Sequence, residues 1–202
     1  MLHLNVHPQN PQRRLLEQAV DIMRRRDGIC VYPTDTVYGM GATATNMQAL
    51  NKIASLLERD KLRLFSFICN DFSQISTYAQ VSNAVYKLLK RYLPGPFTFI
   101  LPATSIVPKK ICPKRKTIGI RFPDNVICQE LVSLLGEPLA NTSIRLEGPF
   151  RGDPDAIKPA VLNDVDVMLD CGQLSDPRGS TIIDCTDRVP VVVREGKGIW
   201  QG

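Results

Sequence analysis

Apolar positions recur at helical spacing through Leu15, Leu16, Ala19, Val20 and Met23, and the stripe closes on Arg24, Arg25 and Arg26 before Gly28. This predicts an amphipathic helix stopped by a glycine, with cations at its negative end. The unbroken apolar run Ile29 to Tyr32 reads as a buried strand that ends at Pro33 in a polar turn. A second helical stripe follows, entered through Thr45 or Asn46 and carrying Met47, Leu50, Ile53, Ala54 and Leu57. Together these make a strand, turn and helix unit.

The pattern then repeats. Leu64 to Cys69 predicts a strand, Asp71 opens a short helix, and Ser82 caps another that carries Val85, Leu88, Leu89 and Tyr92 until Pro94-Gly95-Pro96 breaks it. Phe97 to Leu101 and Thr117 to Phe122 read as strands, Asn125 to Leu135 as a helix, Gly136 to Thr142 as a strand and Pro154 to Val161 as a weaker helix. Val165 to Leu169, Thr181 to Asp184 and Val189 to Arg194 are short and β-rich. Alternating helices and strands followed by a strand-rich end predict an α/β fold around a mixed, twisted β-sheet flanked by helices.

At 202 residues, 44% hydrophobic and 22% charged, the chain has the composition of an ordinary globular protein with one core. We therefore expect a single domain over residues 1–202, with residues 1–10 as a polar leader. That leader has neither a basic start nor a continuous apolar stretch, and no apolar run approaches the roughly 18 residues that span a bilayer. The expectation is a cytoplasmic protein with no membrane partner. Six cysteines occur without a Cys-x-x-Cys pair, and the two histidines, His3 and His7, both stand near the start of the chain. No zinc spacing is present, a disulfide framework is not expected, and histidine-based acid–base catalysis is hard to assemble.

The net charge of +5 is local. Lys109, Lys110, Lys114, Arg115, Lys116 and Arg121 lie within one stretch that holds no acidic residue, and these six exceed the net charge of the whole chain. Such a patch can hold phosphates or an RNA backbone, or can simply be solvated.

The densest chemistry lies in Tyr32-Pro33-Thr34-Asp35-Thr36-Val37-Tyr38-Gly39-Met40-Gly41. Here hydroxyls and a carboxylate follow a strand end, where open α/β sheets bind ligands. The same residues also suit a local turn in which Thr and Asp bond their own backbone. Further polar groups fall near predicted strand ends: Thr98, Thr117 with Arg121, Thr142-Ser143, Gly179-Ser180-Thr181 and Arg194-Glu195-Gly196. Convergence on one pocket would account for all of them.

In this order and spacing the motifs resemble the YrdC/YciO family from about Arg14 to Gly196. The resemblance implies a YrdC-like fold and a threonylcarbamoyl-AMP synthase activity, a nucleotidyl transfer that joins L-threonine, bicarbonate and ATP for the threonylcarbamoyladenosine modification of tRNA. By motif, Thr34, Thr36, Arg121 and Ser180 would bind L-threonine, with Arg121 as a two-pronged fork on its carboxylate. Arg59, Arg63, Thr117, Ser143 and Arg194 would contact ATP, and Mg2+ would accompany the triphosphate.

Two positions depart from the synthase pattern. Leu57 replaces the lysine of Lys-x-Arg-Pro while Arg59 is kept, and Arg145 replaces the asparagine of Ser-Ala-Asn after Ser143. Both fall on the nucleotide side, which places the chain closest to the YciO branch. Two other readings share the fold. One is a protein that binds tRNA or double-stranded RNA through Lys109, Lys110, Lys114, Arg115 and Lys116; the other is an enzyme acting on threonylcarbamoylated tRNA with little ATP turnover.

Overall fold

Strand pairing builds the architecture. The computed structural model describes residues 1–25, 28–56, 65–108, 111, 116–144, 146 and 152–202. In chain order its elements are β1 (Leu2–Asn5), α1 (Arg13–Met23), β2 (Cys30–Tyr32), β3 (Gly39–Thr43), α2 (Met47–Leu56), β4 (Ser66–Ile68), α3 (Phe72–Tyr78) and α4 (Asn83–Tyr92). There follow β5 (Phe97–Pro102), β6 (Thr117–Arg121), α5 (Val126–Leu135), β7 (Leu139–Ser143), α6 (Pro159–Leu162), β8 (Val167–Asp170), β9 (Thr181–Asp184) and β10 (Val191–Arg194). The strands form one mixed sheet in the order β1-β8-β2-β3-β7-β4-β6-β5-β9-β10. β1, β8 and β2 run parallel, as do β4 with β6 and β5 with β9, while the other neighbours are antiparallel.

Local chemistry sets the helix starts. The side chain of Asp71 accepts from the N–H of Gln74 at 2.6 Å, Ser82 from Val85 at 3.3 Å, and Asn125 from Cys128 at 3.0 Å. Asn46 does the same for Ala49 at 3.1 Å, so the predicted entry to α2 lies at Asn46. α5 stops at Gly136, whose φ of 75° is the left-handed cap that glycine adopts without strain. α1 ends at Met23, before the arginines on which its charge pattern closes. Arg24 serves as its cap and reaches the carbonyl of Leu134 at 3.0 Å, tying α1 to α5.

Each face of the sheet has its own core. On one, Val31, Met40, Phe67, Phe99, Ile120 and Ile183 pack with Leu50, Ile53, Ile75 and Leu89 from α2, α3 and α4. On the other, Tyr32, Ile68, Leu139 and Val167 pack under Leu16, Val20 and Met23 of α1 and Ile127, Leu131 and Val132 of α5. Each fully buried large side chain contributes on the order of 1.5–3 kcal/mol. No residue of β5, β6 or β9 belongs to this second cluster; on that part of the face stand polar side chains instead, of which Thr98 and Arg121 are buried.

Three expectations are corrected. The glycines after the polar turn do not prolong it. Gly39–Thr43 is a strand, β3, pairing antiparallel with β2 and β7. A Cβ at Gly41 would lie 2.6 Å from the Ala140 carbonyl oxygen, so these glycines serve close packing within the sheet. Nor are residues 1–10 only a polar leader. Leu2–Asn5 forms β1 at the sheet edge, with Leu4 and Val6 buried. The expected helix over 154–161 is a short 3-10 turn at Pro154–Ala156 followed by α6, because Pro159 begins a new helix at a position where its missing N–H does no harm.

The five described cysteines are free thiols. Cys185 is buried, and burial together with the Asp184 charge pushes its thiol up to about 11. A thiol raised in the folded state stabilises the fold while the unfolded chain keeps its proton. That contribution falls as pH rises from about 9, where a free thiol ionises, through about 11. We expect Cys185 to resist iodoacetamide at pH 8 in native protein and to react once the chain is unfolded in urea, as read by peptide mass spectrometry. Native labelling as fast as that of a free thiol would contradict this environment.

Candidate functional site

Pairing register decides which side chains share the polar part of that face. Gly39 opposes Ser143 and Gly41 opposes Asn141 across β3 and β7; Ser66 pairs with both Asn141 and Gly119. Thr117 opposes Pro102 and Gly119 opposes Ile100, while Thr98 pairs with Ile182, which in turn opposes Arg194. Paired residues point to one side and alternate residues along a strand return to it. Ser143, Ser66, Thr117, Arg121, Thr98 and Arg194 therefore lie on the face that α1 and α5 cover only in part. Glycine keeps this floor low. A Cβ at Gly39 would stand 2.4 Å from Asn141 Oδ1, an atom that accepts the Tyr32 hydroxyl at 2.6 Å, while Asn141 Nδ2 donates to Ser66 Oγ at 3.4 Å.

The polar turn forms one end of the cleft. Thr34 Oγ1 donates to the Val37 carbonyl at 2.7 Å, accepts from the Thr36 N–H at 3.0 Å and meets Thr36 Oγ1 at 2.9 Å, so the local turn expected of these residues is present. More than a turn is built, however. Arg121 Nη2 donates to Asp35 Oδ1 at 2.7 Å and to Thr36 Oγ1 at 2.9 Å, and Asp35 Oδ2 accepts from the Asp124 N–H at 3.1 Å, just ahead of α5. The positive end of that helix suits the carboxylate. The Arg121 and Asp35 side chains are 3% and 6% exposed, and Arg121 Nε, also buried, has no hydrogen-bond partner among the described residues. A buried, unsatisfied guanidinium N–H is costly unless something accepts from it. Beneath the turn, Cys128 Sγ donates to the Pro33 carbonyl at 3.1 Å, and burial pushes this thiol far up despite the nearby Arg121 charge.

Ser180 marks the other end. Its Oγ lies 2.7 Å from Thr98 Oγ1 and 3.2 Å from Arg194 Nη2, and its carbonyl accepts from Arg194 Nη2 at 2.7 Å and from Nε at 3.2 Å. Lys197 joins the two ends. Its N–H donates to the Gly179 carbonyl at 2.8 Å, while its ammonium donates to the Asp35 carbonyl at 2.7 Å. Asp176 Oδ2 lies 4.0 Å from that ammonium, and hydrogen bonds from Arg178 hold the Asp176 carboxyl below its ordinary range.

Thr34, Thr36, Arg121, Ser180 and Arg194 are thus linked in one constellation. Thr117 and Ser143, both half-buried, stand on the same face of the sheet. Arg194 grips the Ser180 backbone, a positioning role beyond the nucleotide contact expected of it. Lys116 is exposed, with a φ of 51°. Arg59, Arg63, Lys109, Lys110, Lys114 and Arg115 lie outside the described residues, as do Leu57 and Arg145. Among the described residues no three His, Cys, Asp or Glu side chains gather where they could hold a metal ion, and no helix is long and apolar enough to cross a membrane. Reading by motif passed over Asn141, Ser66 and Lys197. The flanking Gly196 and Gly198 were the available signal for Lys197, since paired glycines mark a backbone pressed closely against its surroundings.

Residues 23–196 match the Sua5/YciO/YrdC family, whose domain carries the description telomere recombination. The uncharacterized protein YciO of Escherichia coli is 42% identical over 196 residues, covering 96% of this chain and 94% of that protein. Its crystal structure superposes with a TM-score of 0.90 at 41% identity, covering 98% of both chains. A putative threonylcarbamoyl-AMP synthase of Methanocaldococcus jannaschii is 34% identical over 169 residues, covering 83% of this chain and 79% of the relative. The crystal structure of Sua5 from Pyrococcus abyssi complexed with L-threonine gives a TM-score of 0.88 at 27% identity, covering 97% of this chain and 58% of the Sua5 chain.

Proposed function

The chain belongs to the Sua5/YciO/YrdC family, and on that premise we propose that it is a threonylcarbamoyl-AMP synthase-like enzyme that binds L-threonine in the cleft between the Thr34–Thr36 turn and Ser180. The observation that carries this reading is Arg121. It is buried, fixed by Asp35 and Thr36, and keeps Nε as a donor without an acceptor among the described residues, as suits a site for an amino-acid carboxylate. Relatives named threonylcarbamoyl-AMP synthases, and the L-threonine in the Sua5 structure, support the same ligand.

In this reading the threonine amine combines with bicarbonate to give a carbamate and water. The carbamate oxygen then attacks the α-phosphorus of ATP, a P–O bond breaks, and pyrophosphate leaves. The protein's contribution is positioning and charge neutralisation. Arg121 would hold the threonine carboxylate and Thr36 and Ser180 its flanks, while Thr117, Ser143, Arg194, Arg59 and Arg63 would serve ATP. Magnesium would arrive with the triphosphate, as part of the substrate. The product is an activated threonylcarbamoyl group for transfer to tRNA. Leu57 and Arg145 remove one cation and one amide from the nucleotide side, so turnover is expected to be slow.

Pyrophosphate release from Mg-ATP with L-threonine and bicarbonate, measured against a control without threonine, tests the proposal. Release that depends on threonine is the expected result. Threonine binding without such release would assign the pocket to threonylcarbamoyl groups already on tRNA, and neither binding nor release would overturn the amino-acid site itself.

A further inference from the structure

We propose that Lys197 is a positioning residue of the cleft, a strap that holds the Thr34–Thr36 turn against Arg121 from the opposite wall. The inference rests on the amino-acid reading of that turn only for its ligand; the strap itself is a matter of geometry. Lys197 belongs to a segment fastened on both sides of it. Thr181 Oγ1 accepts from the Gly196 N–H at 3.0 Å and donates to the Gly198 carbonyl at 2.6 Å. Neither glycine leaves room for a side chain, because a Cβ at Gly196 would lie 2.2 Å from the Gly179 carbonyl oxygen and one at Gly198 would lie 2.5 Å from the Phe97 ring. Beyond them, Trp200 stacks on Tyr92 of α4 with centroids 4.8 Å apart, the Gln201 N–H reaches the Tyr92 hydroxyl at 3.3 Å, and Arg91 donates to the Gly202 carbonyl at 3.2 Å.

The fixed backbone sets where the flexible lysine stem starts, and the ammonium turns toward the Thr34–Thr36 turn. It bonds the main-chain carbonyl of Asp35 at 2.7 Å although the Asp176 carboxylate stands 4.0 Å away. Asp35 is thereby gripped at three atoms: Oδ1 by Arg121, Oδ2 by the Asp124 N–H and the carbonyl by Lys197. The first two come from β6 and the start of α5. Lys197 ties the turn to the Gly179–Ser180 wall, through its ammonium on one side and its own N–H on the other, and so helps to set the spacing between the two ends of the cleft. Preorganisation of this kind strengthens binding by removing the need to order the turn when the ligand arrives.

The test compares wild type with Lys197→Met, which keeps the apolar stem but loses the donor, and Lys197→Arg, which restores a cation and donor. Hydrogen exchange is followed for peptides covering residues 34–37 and 179–181, with a peptide from α1 as control, and L-threonine affinity is measured by calorimetry. Lys197→Met is expected to speed exchange in both cleft peptides, leave the α1 peptide unchanged, and weaken threonine about tenfold, the scale of having to order the backbone of about one residue when the ligand binds. Lys197→Arg should recover most of both effects. Trp200→Ala, which loosens the anchor without touching the cleft, should show the same pattern more weakly, and it serves as the second probe should the Met variant fold poorly. Unchanged exchange at 34–37 in a folded Met or Trp200→Ala variant overturns the strap. Wild-type protein that binds no threonine would overturn the amino-acid reading instead, and the exchange measurement would still decide the role of Lys197.

Discussion

Arg121→Ala is expected to abolish measurable L-threonine binding and to destabilise the protein by about 3–5 kcal/mol, the penalty for leaving one partner of a buried ion pair uncompensated. Both effects come from one geometry. Arg121 and Asp35 are almost fully buried, and the guanidinium is also the group left with a donor for the ligand. Loss of binding alone would therefore be ambiguous, because a partly unfolded cleft binds nothing. The pair Asp35→Asn with Arg121→Met separates the two. Without a stranded carboxylate the double variant should recover most of the lost stability, since Asn can still accept from the Asp124 N–H, yet it should bind no threonine. Arg121→Lys should regain part of the stability and little of the affinity, because an ammonium cannot present the planar two-donor fork. Urea melts and calorimetry read the two quantities independently. Wild-type affinity in any folded Arg121 variant would remove this residue from the site.

The sequence was most legible where a residue acts on its own neighbourhood. Asp71, Ser82 and Asn125 cap helices by bonding an N–H three residues on, so α3, α4 and α5 could be placed to within a residue or two. That Arg121, Thr34, Thr36 and Ser180 would come near one another was legible because they sit in motifs whose joint order resembles that of one family. What stayed hidden depends on distant partners. β1 is held by a parallel pairing with β8 about 165 residues further along, and nothing within Leu2–Asn5 announces it. β3 carries Gly39 and Gly41, residues that ordinarily mark turns, and the reason they form a strand is the Asn141 side chain and the Ala140 carbonyl of a neighbouring strand. Lys197 looks like a solvated lysine until the fold brings the Asp35 carbonyl to it.

Register carries the same lesson to the chemistry. Asn141 and Ser66 are unremarkable in sequence, and only the pairing of β7 with β3 and β4 puts them between Tyr32 and Gly119 on the cleft floor. A shift of one residue in either pairing would turn these polar side chains toward the Met40, Phe67 and Ile120 core and expose that core instead. The hydrophobic core therefore fixes which face is polar, and the site inherits its position from the packing.

That inheritance makes the floor itself testable at Gly119, the residue between Thr117 and Arg121 on the cleft side of β6. A Cβ there would lie 3.2 Å from Ser66 Cβ and 3.3 Å from Thr98 Cγ2, with no backbone atom nearer than 3.7 Å. Those neighbours are small side chains that can give by a few tenths of an ångström, so Gly119→Ala should fold normally and bind nearly as well as wild type. Gly119→Val adds two methyl groups that have nowhere to go but up into the cleft. Its stability reflects opposing terms, a gain from strand preference of up to about 1 kcal/mol and a packing cost of about 1–3 kcal/mol, so the melting temperature should fall only modestly. Function should fall much further. Gly119 separates the proposed nucleotide contact at Thr117 from the threonine contact at Arg121, and a displacement of about 1 Å between reacting groups is enough to lower a rate on the order of 10²-fold. We expect Gly119→Val to lose threonine-dependent pyrophosphate release by at least that factor and to weaken threonine binding as well. A folded Gly119→Val enzyme with wild-type threonine affinity and turnover would mean that the reactants do not meet across this floor, and would move the site off the open face of β6.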